Sequence, residues 1–211
     1  MKFLSLITLA SFAIATPFRR QQTVVGTLQS SVNTLSNAVT VNVNEINDAI
    51  DSIQGNVDAQ VIIQVQALLK ANFQAIAQAL NTSTTNIITV TTGAVGGVTG
   101  QAIGLTTQQI IQLTATIRRT IATLEKIGAS VTVTVTDLTP AVQATIQAEV
   151  NAVIALINPF ITPLLLFSAA VRSAAVTVTV VITGLQGAID GLVETQHDLI
   201  NSIGISAIAG F

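Results

Sequence analysis

The chain has 211 residues, half of them hydrophobic and only 9% charged, with a formal net charge of −2. Its mean hydropathy of +0.69 is that of a membrane protein, yet beyond the leader no unbroken apolar run reaches the ~20 residues a spanning helix needs. Cysteine, tyrosine and tryptophan are absent and histidine occurs once, which excludes disulfide frameworks and thiol chemistry, while the acidic balance disfavours nucleic acid and anionic membranes as partners.

Met1 to Ala15 has the form of a secretory signal peptide: Lys2, a short apolar core from Phe3 to Ile14, and small residues at Ala13 and Ala15. Residues 16–20 follow as a pro-segment whose Arg19-Arg20 end matches a dibasic processing site. Their removal takes away Lys2, Arg19 and Arg20 and leaves five basic against ten acidic side chains in residues 21–211. A chain of this size buries about 70% of its unfolded surface in one core, so residues 21–211 are expected to form a single secreted domain held by packing alone.

From Leu28 the apolar residues Val32, Leu35, Val39, Val43, Ile46, Ile50, Ile53 and Val57 recur at three- and four-residue steps, the period of an amphipathic helix. Gly55 ends or bends it. A second helix carries Val61, Val65, Leu68, Leu69, Phe73, Ile76 and Leu80 on one face. The threonines and glycines that follow predict a long loop over about 81–105, with the sequon Asn81-Thr82-Ser83 as an exposed glycosylation site. Thr106 and Gln109 have capping-box spacing, opening a third helix through Ile110, Leu113, Ile117, Ile121, Leu124 and Ile127.

The alternating segments Val131–Thr136 and Val176–Val180 have the composition of strands. The three/four phase nevertheless continues through Val131, Val135 and Leu138, and again through Val178, Ile182, Leu185, Ile189 and Leu192. β-Branched residues cost a helix only tenths of a kcal/mol each, so both segments are predicted helical. Thr139-Pro140 is a helix start; Val142, Ile146, Val150, Val153 and Ile157 line a fourth helix. Asn158-Pro159 and Thr162-Pro163 predict a hinge before the last helical stretch, which Gly184, Gly187 and Gly191 kink or divide. The expected fold is all-α, an antiparallel bundle of five to six amphipathic helices.

Catalytic vocabulary is scarce. His197 stands near Asp190, Glu194 and Asp198 without a further convergent ligand, and Asp48, Asp51 and Asp58 lack the spacing of a calcium loop. The glycines between Gly93 and Gly104 have no accompanying lysine or Gly-x-Gly-x-x-Gly pattern, and no Gly-x-Ser-x-Gly elbow occurs. No enzyme activity, cofactor or metal is expected. Two features remain. Charge is absent from Ala71 to Ile117, between Glu149 and Arg172, and between Arg172 and Asp190. Apolar residues crowd around the two prolines: Ile157, Phe160, Ile161, Leu164, Leu165, Leu166 and Phe167 are too many for one stripe. Either they belong to a doubly buried helix, or Ile157, Phe160, Ile161, Leu164, Leu165 and Phe167 line, with Phe73, an interior site for an acyl chain.

The leader with its dibasic pro-segment, the opening helix from Thr27 to Val39 and the segment Val153-Ile-Ala-Leu-Ile-Asn-Pro-Phe-Ile-Thr-Pro-Leu164 resemble the fungal hydrophobic surface-binding protein A family, which includes the antigenic cell-wall galactomannoproteins. The resemblance implies an all-helical extracellular or wall-associated domain that adsorbs to hydrophobic surfaces, recruits secreted polymer-degrading enzymes to them, or holds fatty-acid-like lipids internally. The alternative is a structural wall mannoprotein that acts through its glycans.

Overall fold

The computed structural model describes residues 24–53, 58–92, 98, 102–174 and 179–209. The signal and pro-segment, the glycines at 93, 96, 97 and 100, and Val176 to Val178 lie outside them. Five long helices account for nearly all the rest: α1 (Val24–Ile53), α2 (Ala59–Thr92), α3 (Thr107–Asp137), α4 (Pro140–Ala174) and α5 (Thr179–Ala209). No strand occurs among the described residues.

The helix starts follow local chemistry. The Asp58 carboxylate accepts from the Gln60 amide at 2.8 Å at the head of α2. The Thr106–Gln109 capping box closes in both directions, at 2.8 and 3.2 Å, at the head of α3. At the α3–α4 turn the Gln143 side-chain amide donates to the carbonyls of Val135 and Leu138, so two acceptors that the end of α3 leaves open are satisfied.

The helices close into a ring in which α1 packs on α2 and α3, α2 on α4, α4 on α5, and α5 on α3. Cross-helix contacts give the directions. Arg119 and Lys126 of α3 donate to Asn33 and Thr40 of α1, an equal advance on both, so α1 and α3 are parallel. Ile121 and Gly128 of α3 meet Gly191 and Leu199 of α5, which makes that pair parallel as well. Arg172 bonds Gln186 and Asn158 bonds Gln196, so α4 and α5 are antiparallel. The chain alternates in direction as expected, but the ring contains parallel interfaces and is not antiparallel throughout. Into its centre project the predicted stripes: Leu28, Val32, Leu35 and Val39 of α1, Phe73, Ile76 and Leu80 of α2, Leu113, Ile117, Leu124 and Ile127 of α3, and Leu185 and Leu192 of α5 are fully buried.

Three expectations are corrected. The loop expected from Asn81 is helix as far as Thr92, and along it Thr84, Thr85, Thr89, Thr91 and Thr92 each turn the hydroxyl back onto the carbonyl four residues earlier. That bond conceals the hydroxyl while Ser83, Thr84, Ile87 and Thr91 continue the buried face. The predicted hinge at 158–163 is likewise unbroken helix. Ala155 and Pro159, whose carbonyls lose their amide donors to Pro159 and Pro163, are both exposed, so water can satisfy them. The Thr162 hydroxyl donates to the Asn158 carbonyl at 2.8 Å within the continuous helix. Finally, α5 runs unbroken through Gly184, Gly187 and Gly191.

Those glycines differ in what surrounds them. A Cβ at Gly184 or Gly187 meets nothing within 4 Å, whereas one at Gly128 would lie 2.2 Å from the Leu199 Cδ2. The double variant Gly184→Ala/Gly187→Ala is therefore expected to gain about 1–2 kcal/mol and a few degrees in Tm, read by thermal denaturation. Gly128→Ala must displace Leu199 and is expected to lose that advantage.

Candidate functional site

The apolar segment of α4 faces inward. Ile157, Phe160, Ile161, Leu164 and Phe167 are at most 1% exposed, as is Phe73 of α2, and all six belong to the one hydrophobic core. Leu165 is half-buried against that core, whereas its neighbour Leu166 points outward at 60% exposure. The five buried residues of α4 thus share one stretch of the core, whereas Phe73 is not brought to them: the bond of its neighbour Gln74 to Glu149 sets it beside the first half of α4, short of Ile157. Buried hydroxyls accompany them: Ser168 donates to the Leu164 carbonyl at 2.7 Å, and Thr114, Thr120 and Thr134 of α3 bond carbonyls within their own helix. This interior has apolar walls with these hydroxyls turned onto backbone, the buried Ser130 hydroxyl being left without a partner, so what it offers a guest is mainly dispersion and burial.

By length and composition α4 is also long and apolar enough to cross a bilayer. The interruptions at Asn158, Pro159, Thr162 and Pro163 do not break it, contrary to the reading of the sequence.

Among the described residues three surface clefts are lined mainly by small and polar side chains. One, of about 360 Å³, runs between α1 and α2 past Ser30, Thr34, Gln78, Thr82 and Asn86. A second lies between α2 and α4 at Gln74, Ala77, Ala148 and Glu149, where the Gln74 amide donates to the Glu149 carboxylate at 3.3 Å. A third lies over Gly128 between α3 and α5. None of the seven apolar residues lines any of the three.

The polar candidates are dispersed. His197 is an exposed side chain of α5, 3.8 Å from Asp198 and in hydrogen-bond contact with Asn201. No group of three His, Asp or Glu side chains converges to hold a metal among the described residues. Asn81 is exposed on the outer face of α2 rather than on a loop, and Ser83 of its sequon is buried with its hydroxyl on the Ser31 carbonyl at 3.4 Å.

The exterior carries what the sequence did not single out. Among the described residues ten large apolar side chains are 41–84% exposed, including Ile63, Leu68, Ile88, Ile103, Ile111, Leu166 and Val180. Leu68, expected on the buried face of α2, is one of them: Leu69 takes the core position and turns its neighbour outward. The available signal was that two adjacent leucines on an amphipathic helix cannot both occupy one narrow stripe.

No family model matches the chain, and neither a curated protein nor a solved structure is significantly similar to it.

Proposed function

We propose that this chain is a non-enzymatic secreted or cell-wall protein that binds hydrophobic surfaces or fatty-acid-like lipids, the role implied by the family it resembles. One observation carries the reading: large apolar side chains stand exposed on an exterior whose polar groups are mostly hydroxyls and amides. Covering an exposed Ile or Leu contributes about 1–2 kcal/mol. Desolvating an unpaired hydroxyl or amide costs about 1–3 kcal/mol in proteins, and an ionised group several times more. A charge-poor surface therefore opposes contact with an apolar phase far less than a normally charged bundle would.

The long apolar helix α4 fits this role as a core element rather than as a membrane span, because its Ile157, Phe160, Ile161, Leu164 and Phe167 face is taken up by the bundle. Those residues, with Phe73 and Leu165, are the ones an internal lipid would touch. Octadecyl-coated beads should deplete the protein from solution well beyond a normally charged helical bundle of equal size, and native mass spectrometry should find co-purified lipid if the interior also binds. Adsorption equal to that of the control would refute surface binding; a lipid-free mass would refute interior binding.

The second reading, a wall mannoprotein acting through its glycans, is favoured by the exposure of Asn81 and of Thr82, Thr85, Thr89 and Thr92 along one helix. Dense glycosylation without affinity for apolar beads would select it.

A further inference from the structure

The floor and the rim of the α2–α4 cleft differ in chemistry. Ala77 of α2 and Ala148 and Ala152 of α4 make a bed without charge or bulk, and Gln74, Gln78 and Glu149 stand around it. The space is about 320 Å³, room for one sugar ring. The rim lacks a donor. The Gln74 amide reaches the Glu149 Oε1 only at 3.3 Å, and the Glu149 Oε2 is buried with no hydrogen-bond partner among the described residues. A carboxylate oxygen left that way is costly. Rotation about the last bond of the side chain is soft, so a donor placed in the cleft can be met by turning the carboxylate toward it.

The sequon lies one helical turn beyond this cleft. Asn81 follows Gln78 by three residues, Ala77 by four and Gln74 by seven, the spacings that set side chains on one face of a helix. It is exposed. Helical side chains lean toward the N-terminus, over the residues three and four earlier, so a substituent on the Asn81 amide is directed back onto Gln78 and Ala77. The distance to cover is one turn, ~5.4 Å, which the first ring of an attached sugar spans.

Resting on the secreted reading above, we propose that Asn81 carries an N-linked glycan whose first N-acetylglucosamine lies in the α2–α4 cleft as a part of the folded protein. The match is of two faces. A pyranose ring presents a face of C–H groups, suited to the three alanines, and an edge of hydroxyl and acetamido groups, suited to Gln74, Gln78 and Glu149. Its hydroxyls are neutral donors, and the carboxylate is the group that accepts without donating. Attachment makes the contact intramolecular, so individually weak bonds are enough to hold it. The sugar is joined before α2 closes on α1. Once that pair has formed, the Ser83 hydroxyl that completes the sequon is buried and donates to the Ser31 carbonyl at 3.4 Å. The helix then forms with the sugar already in place and lays it along its own surface.

The full chain, secreted by a yeast host under its own leader, provides the test. Protein trimmed by endoglycosidase H to a single N-acetylglucosamine should melt with the intact glycoprotein, whereas Asn81→Gln should melt several degrees lower. Glu149→Ala, at a half-buried surface position, should remove most of that difference: the single sugar should shift the unfolding constant about tenfold beside Glu149 and less than about twofold beside alanine. In the trimmed protein, nuclear Overhauser effects should join the acetyl methyl to the Ala148 or Ala152 methyl. Equal melting of the trimmed and Asn81→Gln proteins without those effects, or a sugar increment that survives Glu149→Ala, would overturn the cleft as the seat of the sugar. A secreted protein with Asn81 bare would overturn the proposal while leaving secretion intact. Retention of the chain in the cell would overturn the secreted reading, and the glycan with it.

Discussion

Phe160→Ala should destabilise the delipidated protein by about 3–5 kcal/mol and lower Tm by roughly 10 °C, measured by denaturant and thermal unfolding. Phe160 has no exposed surface and lies among Ile157, Ile161 and Leu164, which are equally buried. Removing its ring forfeits the transfer energy of a large apolar group and leaves a void that a five-helix ring, already closed by α4 on α5, can fill only in part. Against a usual total of about 5–15 kcal/mol this is a large share, and it bears on function. A side chain that packs the empty protein contributes its full energy without ligand. One that mainly contacts a guest would leave the delipidated Tm almost unchanged and reduce instead the increment gained on adding fatty acid. A loss confined to the lipid-bound form would therefore assign Phe160 to a ligand site and not to the core.

Phase was the part of the fold that the sequence made legible. The Val131–Thr136 segment is helix despite its strand-like composition because Val131 and Thr134 keep the face begun by Ile127, and Thr134 bonds the Ser130 carbonyl. The same chemistry misled where apolar residues thinned out: along Asn81–Thr92 the back-bonded threonines behave as nearly apolar helix residues, so a tract that looks polar and irregular continues α2. The apolar candidates on α4 could be named because so many adjacent large residues exceed one stripe, and Leu166 is the one the core leaves outside. The charge gaps were visible as intervals, but where they fall in the bundle depends on register, and register arises from contacts such as Arg119–Asn33 that no local pattern contains.

The prolines of α4 lead to an expectation of opposite sign to that of Phe160. Pro159→Ala and Pro163→Ala each restore an amide donor, to the carbonyls of Ala155 and Pro159 respectively, inside a helix the structure shows to be continuous. An interior proline costs an unsupported helix about 3 kcal/mol, while the restriction it imposes on the unfolded chain returns up to about 1 kcal/mol. Each single variant should accordingly gain about 2–3 kcal/mol and the double variant about 4–6 kcal/mol, with Tm raised by roughly 10 °C or more. The offsetting possibility is curvature. A proline bends a helix, and both prolines sit toward the outer face, where a bend wraps α4 around Phe160, Leu164 and Phe167. If that bend is what lets those side chains reach the core, straightening α4 would unseat them and the double variant would lose stability. The sign of the measured change thus separates two roles for the pair: tolerated interruptions on a solvated face, or the device that shapes the apolar side of the bundle.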